Sequence, residues 1–127
     1  MIKNLQEYFQ GILDNLTGGM ISVDTDEKVV YINPMAGKIL HIEEPQKLLG
    51  MKYDRAFEHF PALKEVIKEA LQTGKLVRRA EIEIMHASVP LIIGYSTLQV
   101  KNPNGESMGL AVTFQDITFV SASKSKK

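Results

Sequence analysis

GMISVDTDEKVVYINP, residues 19–34, contains two short segments of alternating or β-branched residues, separated by the polar turn Thr25–Lys28. This pattern predicts a β-hairpin. The hairpin leads into Asn33-Pro34, where asparagine can accept hydrogen bonds from the free N–H groups of a helix and proline fits the first helical turn. We therefore expect a strand, a turn, a second strand and then a short helix that reaches about Leu40.

Amphipathic helices are predicted on both sides of this hairpin. Upstream, apolar residues recur at alternating spacings of three and four, which is typical of a helix with one apolar stripe, and Gly18-Gly19 ends it. Downstream, Pro61 begins a second long helix, which ends before Gly74. Residues 41–60 predict turns and short helical pieces. The upstream stripe consists of Ile2, Leu5, Phe9, Ile12 and Leu16.

Beyond the second long helix the apolar residues alternate with a period of two, which predicts three further strands. The first contains Ile82 and Ile84, the second covers residues 91–100 and the third covers residues 107–115. Residues 101–106 have the composition of a tight turn, so the last two strands form a hairpin. The predicted fold class is α+β: a five-stranded antiparallel sheet with helices on one face, plus an N-terminal amphipathic helix.

The composition fits one small globular domain and excludes several chemistries. The chain has 127 residues, of which 44% are hydrophobic and 24% are charged, values that are ordinary for a domain that folds without a metal or a disulfide. Because cysteine is absent, disulfides, cysteine-ligated metal sites and a cysteine nucleophile are excluded. The 15 basic and 15 acidic residues cancel, so we expect no contact with nucleic acid or with a membrane. The N-terminus lacks the apolar core of a signal peptide, and we expect a cytoplasmic location.

No residue pattern predicts a catalytic or a metal site. The segment GYSTL, residues 94–98, has the first glycine of a nucleophile elbow but lacks the second, and it lies within a predicted strand. A small enzyme that uses Ser96 or a His/Glu site stays open as an alternative. The three histidines are too far apart in sequence to form a helical metal-binding pair; they are His41, His59 and His86.

Five short segments carry a family resemblance. In chain order they are GMISVD (19–24), VYINPMA (30–36), LG (49–50), ALQTG (70–74) and NGE leading to FQDIT (104–106 and 114–118). Together they resemble the PAS domain of bacterial signalling proteins such as sensor histidine kinases. The resemblance implies a five-stranded antiparallel sheet with helices over one face and a small internal pocket. It also implies a sensory or docking module that is not itself an enzyme, with catalysis in other domains of the same protein.

The same resemblance bears on cofactors. Light-sensing PAS domains of the LOV and yellow-protein types need a cysteine, which is absent, and LOV domains carry a glutamine where this chain has Phe114. In haem-binding PAS domains the iron ligand is a histidine eleven residues before the glycine that closes the long helix, and counting back from Gly74 gives Leu63. We therefore expect no cofactor, neither haem b nor flavin.

A small apolar pocket between the helices and the sheet is the predicted ligand site. Since its expected lining offers few polar groups, a ligand would be small and mostly uncharged. The alternative is that these side chains fill the core and that no ligand binds. The predicted lining consists of Leu40, Phe57, Leu63, Ile67, Ser96, Leu98, Val112 and Phe114.

The N-terminal helix is predicted to join two copies of the chain, because its apolar face is wider than contact with one domain needs. At the other end, Asp116 and Thr118 would pass a signal to an output domain of the same protein. The chain is thereby divided into a dimerisation helix (1–17), a PAS domain (18–119) and a polar tail (120–127). A ligand-free interaction module of a transcriptional regulator or a diguanylate cyclase is the alternative. The predicted homodimer contact consists of Leu5, Phe9, Ile12 and Leu16.

Overall fold

Five strands and five helical segments follow one another in the computed structural model, which describes residues 4–86 and 88–118. The helical segments are α1 (Leu5–Asp14), α2 (Pro34–Leu40), a short 3-10 helix (Pro45–Leu48), α3 (Tyr53–Ala56) and α4 (Pro61–Thr73). The strands are β1 (Gly19–Asp24), β2 (Val29–Ile32), β3 (Ala80–His86), β4 (Val89–Lys101) and β5 (Ser107–Asp116). The predicted α+β class and its five-stranded sheet are confirmed. Ile2 and the predicted tail 120–127 lie outside the described residues.

The strands form one antiparallel sheet in the order β2-β1-β5-β4-β3. β1 and β5 are far apart in sequence, yet they pair from Gly19 opposite Phe114 to Asp24 opposite Gly109. Gly109 has a φ of 147°, and a Cβ there would collide with the carbonyl oxygen of Val23. Only glycine therefore allows β1 and β5 to approach at this point.

The core lies between the sheet and the layer of α2, α3 and α4. Alternate residues of β1 and β5 point inward, as the period of two requires. Residues from the helices meet them, and together they form one continuous apolar cluster. Its most buried large members include Ile21, Val23, Leu40, Phe57, Ile67 and Val112.

Short polar side chains determine where several elements begin and end. The carboxylate of Asp24 accepts hydrogen bonds from the N–H groups of Asp26 and Lys28, which closes the β1–β2 turn. Asn33 accepts one from the N–H of Ala36 and so begins α2. Gly74, with a φ of 66°, ends α4. These positions agree with the turns and helix ends predicted from the sequence.

The two faces of β4 are the reverse of the predicted arrangement. Thr97 lies opposite Val112 of β5, and residues that lie directly opposite in paired strands share a face of the sheet. Thr97 is therefore inward and 6% exposed, whereas Leu98 lies on the outer face and is 43% exposed. Ser96 is on the same outer face as Leu98. The prediction that Ser96 and Leu98 line an internal pocket is wrong.

Helix α1 begins at the cap residue Asn4, whose side-chain oxygen accepts a hydrogen bond of 3.0 Å from the N–H of Glu7. It ends at Asp14, so Leu16, the last predicted member of the apolar stripe, lies in the connection to β1. Within the described residues none of α1 is buried. The helix is therefore attached to the domain without being part of its core.

Candidate functional site

Six of the eight residues predicted to line a ligand pocket come together in the core. Each is at most 4% exposed, and all belong to the same apolar cluster. The structure therefore brings them into contact with one another, in the way that a close-packed interior requires. They are Leu40, Phe57, Leu63, Ile67, Val112 and Phe114.

A narrow crevice of about 110 Å³ lies beside this core, between α4 and the segment that leads to β3. Ligand pockets typically measure roughly 300–1,000 Å³, so the crevice can hold only a very small molecule. Burial, and then the negative charge of Glu69, raise the pKa of Tyr95, so its phenol stays neutral further into the alkaline range than a free tyrosine does. The lining consists of Val66, Glu69, Ala70, Thr73, Lys75, Val77 and Tyr95.

Ser96 lines a groove of about 400 Å³, and Phe114, another of the eight predicted residues, borders the same groove. The full lining consists of Leu16, Thr17, Gly18, Gly19, Arg79, Gly94, Tyr95, Ser96, Thr113, Phe114 and Gln115. The hydroxyl oxygen of Ser96 accepts a hydrogen bond of 3.1 Å from the N–H of Arg79. Ser96 thus holds the chain that enters β3, which is a structural role.

The segment Asp116–Thr118 crosses from the end of β5 onto β4. The Asp116 carboxylate accepts hydrogen bonds from both the N–H and the hydroxyl of Thr118, at 3.0 and 2.6 Å. The Thr118 hydroxyl oxygen in turn accepts one of 2.9 Å from the N–H of Ile92, and the N–H of Ile117 donates one of 2.8 Å to the Ile92 carbonyl. Asp116 and Thr118, the two residues predicted to transmit a signal, therefore join the end of β5 to β4.

The surface of α1 carries large apolar side chains that are about half exposed. The exposed fractions are 58% for Leu5, 50% for Tyr8, 53% for Phe9 and 46% for Ile12. Leu5 and Phe9 also line a hollow of about 540 Å³ between α1 and Tyr31 of β2. Leu16, the fourth residue of the predicted contact, is half-buried and borders the groove at Ser96.

Asn33 connects α1, β1 and α2 through one side chain. Its carbonyl oxygen accepts hydrogen bonds from the N–H groups of Met20 and Ala36, both at 2.9 Å. Its amide nitrogen donates to the carbonyl oxygens of Leu13 and Gly18, at 3.2 and 3.0 Å. The side chain is fully buried. These two accepted and two donated hydrogen bonds use all of its hydrogen-bonding capacity within the protein. The sequence predicted only the cap on α2.

Tyr31 provides a second attachment for α1. Its hydroxyl donates a hydrogen bond of 2.6 Å to the carboxylate of Asp14, in the last turn of the helix. Burial, and then the hydrogen bond to Asp14 and its charge, raise the pKa of Tyr31. A tyrosine phenol is already a neutral donor at physiological pH, and the raised pKa keeps the Tyr31 hydroxyl neutral further into the alkaline range. No sequence pattern indicated this pair.

Neither a metal centre nor a membrane span is found in the part of the chain that the structure describes. Its histidine and acidic side chains form no group of three that could hold a metal ion. No helix within residues 4–86 and 88–118 is both long and apolar enough to cross a bilayer.

Comparison with known proteins adds a relative and several similar structures. The signal transduction histidine-protein kinase AtoS of Escherichia coli (strain K12) is 25% identical over 107 residues, which are 84% of this chain and 17% of that protein. The chain thus spans less than a fifth of this relative. The PAS domain of BvgS from Bordetella pertussis superposes with a TM-score of 0.71 at 19% identity, over 97% of this chain and 94% of that one. The PAS domain of a protein from Colwellia psychrerythraea gives 0.66 at 11% identity, over 91% and 99%.

These structural similarities show the fold, and a match to a family model of sequences shows the family. The family model described as PAS fold matches residues 7–117, which is most of the chain. That range includes the five-stranded sheet, its helix layer and nearly all of α1. The resemblance read from the sequence is confirmed, and the chain belongs to the PAS family of sensory domains.

Proposed function

We propose that this chain is a cytoplasmic sensory and dimerisation module of a signal-transduction protein, of the sensor histidine kinase type, and that it acts as a homodimer. The weak similarity to a histidine kinase supports the type of parent protein. Kinase activity would then belong to an output domain beyond these residues. The observation that carries the proposal is the exposed apolar surface of α1.

This surface is costly to leave in water. Fully burying one large apolar side chain contributes roughly 1.5–3 kcal/mol, and four such side chains of α1 are about half exposed. A helix of 10 residues is also marginal in isolation, because most helical stability comes from packing of the apolar face. A second copy of the chain presents the same stripe, so a two-fold arrangement would cover both surfaces at once.

We further propose that the module relays a signal without a haem or a flavin. Leu63 and Phe114, which stand where haem-binding and LOV domains place their characteristic residues, are part of the packed core. The predicted pocket residues in the core are at most 4% exposed and belong to one apolar cluster, which supports a relay through packing contacts over binding of a large ligand. A small apolar ligand would have to displace some of these side chains.

Sedimentation velocity on the wild type and on Phe9→Asp tests the dimer. We expect a wild-type dimer at micromolar concentration and a monomeric variant, because a carboxylate buried without a partner at the contact is far costlier than the aromatic ring it replaces. Leu76→Asp is the matched control, since Leu76 is 52% exposed, nearly the same as Phe9, and belongs to the segment between α4 and β3 instead of to α1.

Two results would contradict the proposal. A wild-type monomer throughout the micromolar range would show that the exposed stripe does not join two copies. A dimer that persists in Phe9→Asp, or that dissociates equally in Leu76→Asp, would show that the contact lies elsewhere on the domain.

A further inference from the structure

The direction in which α1 leaves the domain depends on very few contacts. No residue of α1 is buried within the described chain, and Leu13 is only half-buried, so little apolar packing fixes the orientation of the helix. Its C-terminal end is instead bonded at two points, the Asp14 carboxylate to the Tyr31 hydroxyl and the Leu13 carbonyl to the Asn33 amide. The same amide also bonds the carbonyl of Gly18, in the connection directly before β1. Both donors belong to β2 or to the residue that follows it.

We propose that Tyr31 and Asn33 form a polar latch that sets the angle between α1 and the sheet, and that opening this latch changes that angle. The inference deepens the proposed function, because the angle of α1 would determine how two copies are held together. The angle between α1 and the sheet is a property of a single chain, so it can be measured within one chain.

The position of Asn33 makes it suited to couple two parts of the domain. Its carbonyl oxygen caps α2, which belongs to the helix layer over the core, while its amide nitrogen holds the end of α1. A displacement of α2 would therefore lengthen the hydrogen bonds to Leu13 and Gly18. These bonds lie in a water-poor site, where an unpaired polar group is costly, so the side chain favours one arrangement in which all four partners are satisfied.

Tyr31 adds a second, independent point of attachment. It lies on the outer face of β2, opposite Ser22 of β1, and bonds a side chain of α1, whereas Asn33 bonds backbone carbonyls. A hydrogen bond to a carboxylate is stronger than one between neutral groups. Attachments at Asp14 and Leu13 hold the last turn of the helix, and the one at Gly18 holds the connection that follows it, so that together they restrict both the rotation and the tilt of α1.

Distances between two spin labels within one chain test the latch. The chain has no cysteine, so Glu7→Cys on α1 and Glu83→Cys on β3 give one labelled pair without further changes. Both side chains are exposed. Labelled protein is diluted with an excess of unlabelled protein, so that only distances within a chain are measured.

The variants remove the latch while leaving the rest of the domain in place. Asn33→Asp keeps the oxygen that caps α2 but replaces the two donors with an acceptor that faces two carbonyl oxygens. Tyr31→Phe removes only the hydroxyl, and so remains informative should Asn33→Asp fail to fold. Ser22→Ala is the matched control. It removes the hydrogen bond from the Ser22 hydroxyl to the Leu110 carbonyl, on the same face of the sheet as Tyr31.

We expect a shifted and broader distance distribution in Asn33→Asp and in Tyr31→Phe, and an unchanged one in Ser22→Ala. A distribution identical to that of the wild type in both latch variants would overturn the proposal, as would an equal shift in Ser22→Ala. Sedimentation velocity on the same samples separates the two proposals. If the wild type is a monomer and the label distance shifts in the latch variants, the latch is supported and the homodimer is contradicted. If the wild type is a dimer and the label distance does not shift in the latch variants, the homodimer is supported and the latch is contradicted.

Discussion

Asn33 stabilises three elements at once, whereas an ordinary N-cap stabilises one. Residue type and the following proline predicted the cap on α2, because capping is a local property of the sequence. The bonds to Leu13 and Gly18 could not be predicted in the same way, since they depend on where the chain returns after α1. Each buried polar group left without a partner costs about 1–3 kcal/mol, so loss of this side chain affects more than the helix start.

We expect Asn33→Ala to lower the free energy of unfolding by more than the about 0.5–2 kcal/mol that removal of a helix cap costs. Asn4→Ala is the matched control, because Asn4 caps α1 with the same group but is exposed. Urea denaturation of both variants gives the comparison. Equal losses would show that the bonds of Asn33 to the end of α1 and to Met20 contribute nothing beyond the cap.

At the scale of elements, the sequence predicted the strands more reliably than the faces they present. In the stretch from Tyr95 to Leu98, each face of the strand receives one hydroxyl-bearing side chain and one larger apolar or aromatic one, so periodicity cannot decide which face is buried. Pairing of Thr97 with Val112 decides it in the structure. β5 presented no such ambiguity, because its buried face carries Leu110, Val112 and Phe114.

Helix α1 offers a test of its own stability. Gly11 lies in its interior, and a Cβ at this position would meet no atom within 4 Å. Because glycine in a helix costs roughly 0.5–1 kcal/mol relative to alanine, we expect Gly11→Ala to stabilise α1 and to slow hydrogen exchange of its amides. Gly109→Ala, the same substitution in β5, should destabilise the domain through its collision with Val23. Faster exchange in Gly11→Ala would contradict the assignment of Gly11 to a helix interior with open space around its Cβ.

At the scale of the whole molecule, α1 and α2 are both bonded to the side chain of Asn33, the single residue between β2 and α2. The sequence predicted both helices and the apolar composition of the core. It could not predict how much space the predicted pocket residues leave between them, because the remaining volume depends on how side chains from distant segments pack. Nor could it predict the bond between Tyr31 and Asp14, which joins segments with no shared sequence pattern. The hydrogen bonds of Asn33 and Tyr31 to α1, through which we propose that a signal passes, therefore depend on contacts between distant segments and not on a local sequence pattern.

Alkaline pH should weaken the folded domain, and Tyr31 should contribute measurably to this effect. Burial is the main cause that raises the pKa of Tyr31, Tyr53 and Tyr95 above the usual value of 10.0. Above that pH the unfolded chain releases phenolic protons that the folded domain retains. Stability is therefore fully present below pH 10.0 and is lost as the pH rises through the folded pKa values.

Urea denaturation of the wild type and of Tyr31→Phe, at about pH 8 and about pH 11, isolates the contribution of Tyr31. At the lower pH we expect the variant to be less stable by about 1.5–3 kcal/mol, which is typical of a hydrogen bond to a charged group. At the higher pH the difference should narrow, because the wild type loses the stabilisation that depends on a neutral phenol beside Asp14. The hydrogen bond to Asp54 raises the pKa of Lys64, but this group titrates in both proteins and cancels in the comparison. A difference in stability that stays constant across the two pH values would show that ionisation of Tyr31 is not linked to unfolding.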